Sequence, residues 1–502
     1  MLPQWTEKAD KRGLDPLGMQ NSGIVLYQSL LPGISNVTLR MRYYGYYCWV
    51  SETYARRGAT SDFEAWRTWI RRAEALYALV AARAEEGGVG GVDWANRRLF
   101  TGQRVIDFTA AASTDPSQER YLRQSLGVFG GAYYTQMVEM GLFTENRHGI
   151  QIATRDLGRS AAILFAEAIG SDLAKLLRQK IADARVSLRE LDRLAPIAPS
   201  QIAEDSEERD FYETLLFARV ATPTPTAQSR GASLRLILEA ARAIGERPRP
   251  EDVRWQLFDP PENALPEHLE AQRLNWEAYQ CQDLMQVASA ALLAWAIALI
   301  QEIDAGRTIG EIHGEVIERL SATGNDALGG SWMALRSGLG SETFDFQEAW
   351  DTLTSARGAV EDKAVRAILL MAALHQRILD RADLAAAVRR DLPGRGPAHS
   401  LRTELEWLQA NEAEPVVERI ADYIVERVVR RHSWVAMQKL RRQRDYTFLF
   451  EARDGRLVYL NSYQPVATTP RLAPAIQFLE DIHLIGEEGP TQQGLELLEG
   501  AQ

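Results

Sequence analysis

The sequence predicts a mainly α-helical, multidomain protein with a small β-hairpin near its C-terminus, and three observations carry that prediction. The chain has 502 residues, and single hydrophobic cores stop growing near ~250 to 300 residues, so more than one domain is expected. Apolar residues recur at three- and four-residue spacing through most of the chain. Strand-like alternation about a tight-turn dipeptide is clear in one stretch alone. Hydrophobic residues at 46% and charged residues at 25% supply ample core material and exclude global disorder.

Taken in order, the first residues, MLPQWTEKADKRG, lack the apolar run of a secretory signal, so a cytosolic protein is expected. The stretch LLPGISNVTLRMRYYGYYCWVSETYARR, from Leu30 to Arg57, marks a turn at Pro32-Gly33, after which Ser35 or Asn36 can start a helix. Tyr43, Tyr46, Tyr47, Val50 and Tyr54 recur at helical spacing. Two readings of its Arg40, Arg42 and aromatic rings stay open: a packed core helix, or a grip for a ligand or nucleic acid.

Asp62 to Ala84 is a helix, capped by Ser61 or Asp62 and stopped by the glycines of EEGGVGG. Ile163 to Leu194 is helical with a break near Gly170, ending at Pro196 and Pro199. Prolines mark loops at TPTPT (222–226) and at 245–268, and the main domain boundary is expected between these stretches. Leu269 to Arg390 is strongly helical up to DLPGRGPAHS (391–400), and another long helix runs from Pro415 to Arg444. YTFLFEARDGRLVYL, from Tyr446, alternates around Asp454-Gly455 and is the hairpin. The resulting segments are 1–130, 131–220, 221–268, 269–400 and 401–502. Leu284 to Gln301 has no charged side chain over about the length of a membrane span. Its alanines, Gln286, Ser289 and acidic flanks Asp283 and Glu302 instead read as a buried core helix, so no membrane partner is expected.

Two segments share one plan. From Thr135 and again from Arg471, a helix ends in a glycine- or apolar-rich stop, a polar turn with a short apolar run follows, and Thr154 with Gly158, or Thr491 with Gly494, opens another helix. This order resembles the winged-helix domain, in which a wing hairpin separates two helices. The resemblance implies small modules in which the threonine caps the second helix.

The formal net charge of -11 excludes a surface that is basic throughout, so any nucleic-acid contact must be local. The helix from Pro415 supplies a candidate, with Arg430, Arg431, Lys439, Arg441, Arg442 and Arg444 as its phosphate-contacting residues. The competing reading is a solvated face whose arginines complement the helix dipole.

Catalytic signatures are missing. The seven histidines (148, 268, 313, 375, 399, 432 and 483) are scattered without a metal-ligand spacing, and Cys48 and Cys281 lie apart in apolar sequence. GGVGG and GNDALGGSW lack the Lys-Ser/Thr of a phosphate-binding loop. Glu451 and Asp454 lack the lysine of a nuclease motif, and Ser400 after His399 reads as a helix cap. No catalytic residue, metal or cofactor is expected.

Leu31, Pro32, Gly33, Ser35, Arg40, Arg42 and Tyr43, in the order Leu-Pro-Gly-x-Ser and then Arg-x-Arg-Tyr, with Trp49 following, form a motif. It resembles an N-terminal signature of an uncharacterised bacterial family encoded in anti-phage defence clusters near helicase and phospholipase-D-like nuclease genes; the resemblance covers about the first hundred residues. It implies an accessory subunit of a defence or mobile-element conflict system, with operon-encoded proteins (helicase or ATPase, or nuclease) as partners; double-stranded DNA is the partner that the basic helix suggests. The leading function is a non-catalytic adaptor or DNA-contacting subunit. A kleisin-like bridge of an ATPase, a promoter-binding repressor, and a nuclease or hydrolase assembled from scattered carboxylates and arginines remain alternatives.

Overall fold

The computed structural model describes residues 15–58, 61–113, 115, 117–118, 121–220, 223–261, 265–340, 342–394 and 399–500. The expectation for residues 1–13 lies outside these, as do position 222 of the TPTPT stretch and positions 395–398 of the 391–400 stretch. The chain is mainly α-helical, its strands are short antiparallel pairs, and it folds as two compact units. One unit takes in the chain through Tyr27 together with Arg273–Thr469; the other is Gln28–Gln272 with Pro470 onward.

In the first unit the expected core helix is present. Glu270–Gln301 is long and apolar enough to cross a membrane, yet 89% of its apolar window is buried. Leu284, Met285, Leu292 and Ile300 are fully enclosed, each contributing about 1.5–3 kcal/mol by leaving water. Several of its polar residues are satisfied by neighbours. Gln282 donates to the Met19 carbonyl and accepts from the Leu401 N–H, Asp283 accepts from the backbone and hydroxyl of Thr468, and Ser289 bonds the Tyr423 hydroxyl. A buried polar side chain without such partners would cost more than it gains.

The hairpin pairs Phe450–Arg453 with Arg456–Tyr459, Arg453 facing Arg456 across the turn. Asp454 and Gly455 have φ of 50° and 78°, the two positive values that a type I′ turn requires. Arg307 covers part of its free edge: its N–H donates to the Leu457 carbonyl at 3.1 Å and its carbonyl accepts from the Leu457 N–H at 2.7 Å.

In the second unit, Tyr43–Ala55, Phe63–Arg83 and Leu157–Ile169 form the centre. Asp62 caps the second of these by accepting from the Ala65 N–H. The break at Gly170 is present, but Ile163 to Leu194 is not all helix. Arg185–Ser187 is a strand paired antiparallel with Val105–Asp107. At three residues a strand shows no alternation to read. The segment 221–268 is likewise corrected from a linker: Pro225–Ile244 and Pro250–Phe258 are helices, the first burying Leu234, Leu236, Ile237 and Leu238. Prolines at 225 and 250 sit in the first helical turn, where a missing N–H costs nothing.

Two helix–hairpin–helix segments in this unit share the same hydrogen bonds. The Thr154 N–H donates to the Leu142 carbonyl, and its hydroxyl donates to Gly141 and accepts from the Gly158 N–H. The Thr491 N–H donates to Leu484, and its hydroxyl donates to His483 and accepts from the Gly494 N–H. Both glycines lie where a methyl would stand 2.3 Å from a fixed carbonyl, that of Leu142 for Gly158 and of Leu484 for Gly494. Gly158→Ala and Gly494→Ala are each expected to cost about 1–3 kcal/mol in denaturant unfolding. Gly314→Ala, a helical position with open space around it, is expected to be stabilising by up to about 1 kcal/mol.

Candidate nucleic-acid interface

The expected helix from Pro415 to Arg444 consists of Val416–Tyr423, a π turn at Ile424–Val429, and Arg430–Gln443, the basic helix. The chain leaves it through Arg444, whose φ of 55° is left-handed. The basic helix buries Arg431, His432, Val435 and Ala436 and exposes Arg430, Trp434, Met437, Arg441 and Arg442.

This facing divides the six candidate residues. Arg431 is corrected from a phosphate contact: it is 5% exposed, and its Nη2 donates to Glu404 Oε1 at 2.8 Å. Glu404 also accepts from Arg427 at 2.7 Å and from the Tyr423 hydroxyl at 2.9 Å. Burial pushes the Glu404 carboxyl up, but the Arg431 and Arg427 charges outweigh it and hold it below the ordinary value. Lys439 is corrected too, since it is half-buried and its ammonium donates to the Asp15 carbonyl at 2.6 Å. Burial lowers its pKa, against the nearby Asp15 charge.

Arg430, Arg441, Arg442 and Arg444 are exposed, and none has a carboxylate partner among the described residues. Elsewhere in the same unit arginines are neutralised: Arg319 pairs with Glu302, Glu315 and Glu361, and Arg307 with Glu302 and Glu315. The four free guanidiniums are thus a local positive surface on an acidic chain. Glu426, exposed in the π turn before Arg430, bounds it on the N-terminal side.

Beneath this surface, His432 is fully buried. The Leu449 N–H donates to its Nε2 at 3.0 Å, and its Nδ1 lies 3.1 Å from the Pro16 carbonyl. Both contacts are satisfied by a neutral ring protonated on Nδ1. Burial lowers its pKa to about 4, the Pro16 carbonyl opposing and Lys439 assisting. A folded-state pKa below the unfolded value of about 6.5 stabilises the fold above pH 6.5, and that stability is lost as pH falls toward 4. His375, also buried and also at about 4, acts in the same direction. Unfolding free energy is expected to fall on the order of 2 to 3 kcal/mol per histidine across that interval, and His432→Gln to flatten the slope.

The Leu-Pro-Gly motif, in the other unit, resolves the open question of the aromatic helix in favour of packing. Tyr43, Tyr44, Tyr46 and Tyr47 are buried, and the Tyr43 ring lies 4.7 to 5.1 Å from those of Tyr133, Tyr77 and Tyr47. Pro32 and Gly33 form a turn: the Gly33 N–H donates to Glu139 at 2.7 Å and its carbonyl accepts from Tyr44 at 2.7 Å. Its φ of 79°, with the Met140 side chain 2.5 Å from where a Cβ would lie, requires glycine. Ser35 opens a following turn, its N–H donating to the Thr38 hydroxyl and its carbonyl accepting from that hydroxyl, and the helix starts at Tyr43 rather than at Ser35 or Asn36. Arg40 binds Asp481 through Nε at 3.0 Å. Arg42 grips Glu208 at 3.0 and 3.1 Å and donates to the carbonyls of Pro196 and Ala198. Neither guanidinium is free for a ligand.

The residues weighed for catalysis are engaged by other groups. Ser400 caps Leu401–Ala410, Glu451 is taken up by Tyr446 and Arg453, and both cysteines are buried thiols. No group of three or more His, Cys, Asp or Glu among the described residues is placed to hold a metal. A groove of about 480 Å³ beside Tyr43–Ala55 is lined by Trp49, Glu52, Arg56, Ile163 and Glu167, among others, without a histidine or cysteine. The helices preceding the two small hairpins do not offer a basic reading face either: Leu472–Asp481 is mostly buried, and Tyr134–Glu139 carries no cation. Comparison with protein-family models, curated proteins and solved structures finds no match for the chain.

Proposed function

We propose that the protein is a non-catalytic, DNA-contacting accessory subunit that meets the phosphate backbone through Arg430, Arg441, Arg442 and Arg444. The observation that carries this reading is the set of four exposed arginines without carboxylate partners among the described residues, in a chain of net charge -11. An unpaired guanidinium retains the charge and the planar donors that phosphate takes up. The defence context rests on the resemblance of the Leu31 to Tyr43 motif, and with it a cytosolic site of action beside a helicase, ATPase or nuclease. A kleisin-like bridge is less well supported, because both helix–hairpin–helix segments belong to one compact unit.

Labelled DNA, single-stranded and duplex, titrated by fluorescence anisotropy at graded salt tests the reading. Native protein is expected to bind at least one form with an affinity that falls steeply with salt. The Arg441, Arg442 and Arg444 to Glu triple variant is expected to bind about 10- to 100-fold more weakly and to lower the salt slope by about three. Absence of binding by native protein at low salt overturns the reading.

A further inference from the structure

The exposed face of the basic helix carries a feature that phosphate contact does not require. At 3.6 residues per turn, positions 430, 434, 437 and 441 fall within about 60° of arc and span about 16 Å along the axis. They hold Arg430, Trp434, Met437 and Arg441. Trp434 is 47% exposed and Met437 39%, so an indole sits in water between two arginines. His399 fixes the ring from one side, its plane at 87° and its centroid 5.8 Å away. The His399 carbonyl is itself held by the Ser22 hydroxyl at 2.9 Å. Two residues past Arg444, Tyr446 is a further exposed ring at 53%.

Resting on the nucleic-acid reading above, we infer that this face takes single-stranded rather than duplex nucleic acid, with an unpaired base stacked on Trp434 and the flanking phosphates on the arginines. In a duplex the flat faces of the bases are covered by their neighbours, and what a groove displays is base edges, which polar side chains read. This face presents an indole and a thioether between its cations. Those groups suit the flat, apolar face of an unstacked base, and alternating rings and arginines are the ordinary means of holding a single strand without sequence preference. The charge is complementary to one strand's phosphates, and the contact buries apolar surface that the fold leaves in water.

The test compares a labelled oligothymidylate with a labelled duplex of equal length on the full chain, using native protein, Trp434→Ala and Trp434→Phe. Native protein is expected to prefer the single strand. Trp434→Ala is expected to weaken single-strand binding about 5- to 100-fold while leaving the salt slope and duplex binding unchanged, and Trp434→Phe to keep most of the affinity because a ring remains. Equal binding of both probes, or a Trp434→Ala variant that binds the single strand as native does, overturns the inference and leaves the phosphate-contact reading standing. Failure of both probes to bind overturns that reading, and the inference with it. Half-exposed Trp434 makes a folded alanine variant the expectation, and Trp434→Phe supplies a conservative second variant.

Discussion

Glu277→Ala is expected to lower the unfolding free energy by about 3 to 5 kcal/mol in denaturant titration at neutral pH. Glu277 is fully buried and is the shared partner of three arginines. Arg273 donates to it at 2.8 Å from one turn earlier, Arg377 at 2.8 and 2.9 Å, and Arg381 at 2.7 and 2.9 Å. Arg273 is 3% and Arg377 6% exposed, so removing the carboxylate takes from two dehydrated guanidiniums the negative charge that they share. The cost is that of buried positive charge losing its carboxylate, which exceeds the net worth of the pairs themselves. The loss is expected to be nearly the same at low and high salt, because mobile ions do not reach a buried cluster. A loss below about 1 kcal/mol would show that water reaches these arginines.

Glu404→Ala is the second large effect, again about 3 to 5 kcal/mol. It leaves Arg431 buried without its carboxylate and removes the acceptor of Arg427 and of the Tyr423 hydroxyl. Native Glu404 has a folded-state pKa below its ordinary value, so its contribution is present above that ordinary value and is lost as pH falls below it. The variant is therefore expected to lose part of the native protein's destabilisation at acid pH, measured as a shallower dependence of unfolding free energy on pH. Its folded fraction is expected to keep whatever affinity for DNA the native protein shows in the proposed titration, since Glu404 is held by Tyr423, Arg427 and Arg431 rather than by Arg430, Arg441, Arg442 or Arg444. Loss of binding in protein shown to be folded would mean that the buried cluster sets the geometry of the exposed one.

Elements with a strong local signal were legible. The helix Phe63–Arg83 with its Asp62 cap, the buried Glu270–Gln301 and the Asp454-Gly455 turn follow from periodicity, capping and backbone stereochemistry, all properties of neighbours in the chain. The prolines at 225 and 250 misled because the same residue that breaks a helix interior also starts a helix. The π turn at Ile424–Val429 escaped because its residues carry the same apolar spacing as an α-helix.

Of the candidate surface, the sequence by itself determined the excess of arginine at 430–444 and its placement on one helix. It did not determine which of those cations face solvent. Arg430 and Arg431 are adjacent in the chain, yet one is exposed and the other is bound to Glu404, 27 residues away. The same holds for Arg40 and Arg42, whose carboxylates, Asp481 and Glu208, are 441 and 166 residues distant. Helical class, caps and turns are set by interactions spanning a few residues. Whether a guanidinium is free is set by which distant carboxylate the fold brings within about 3 Å, and only the tertiary structure decides that.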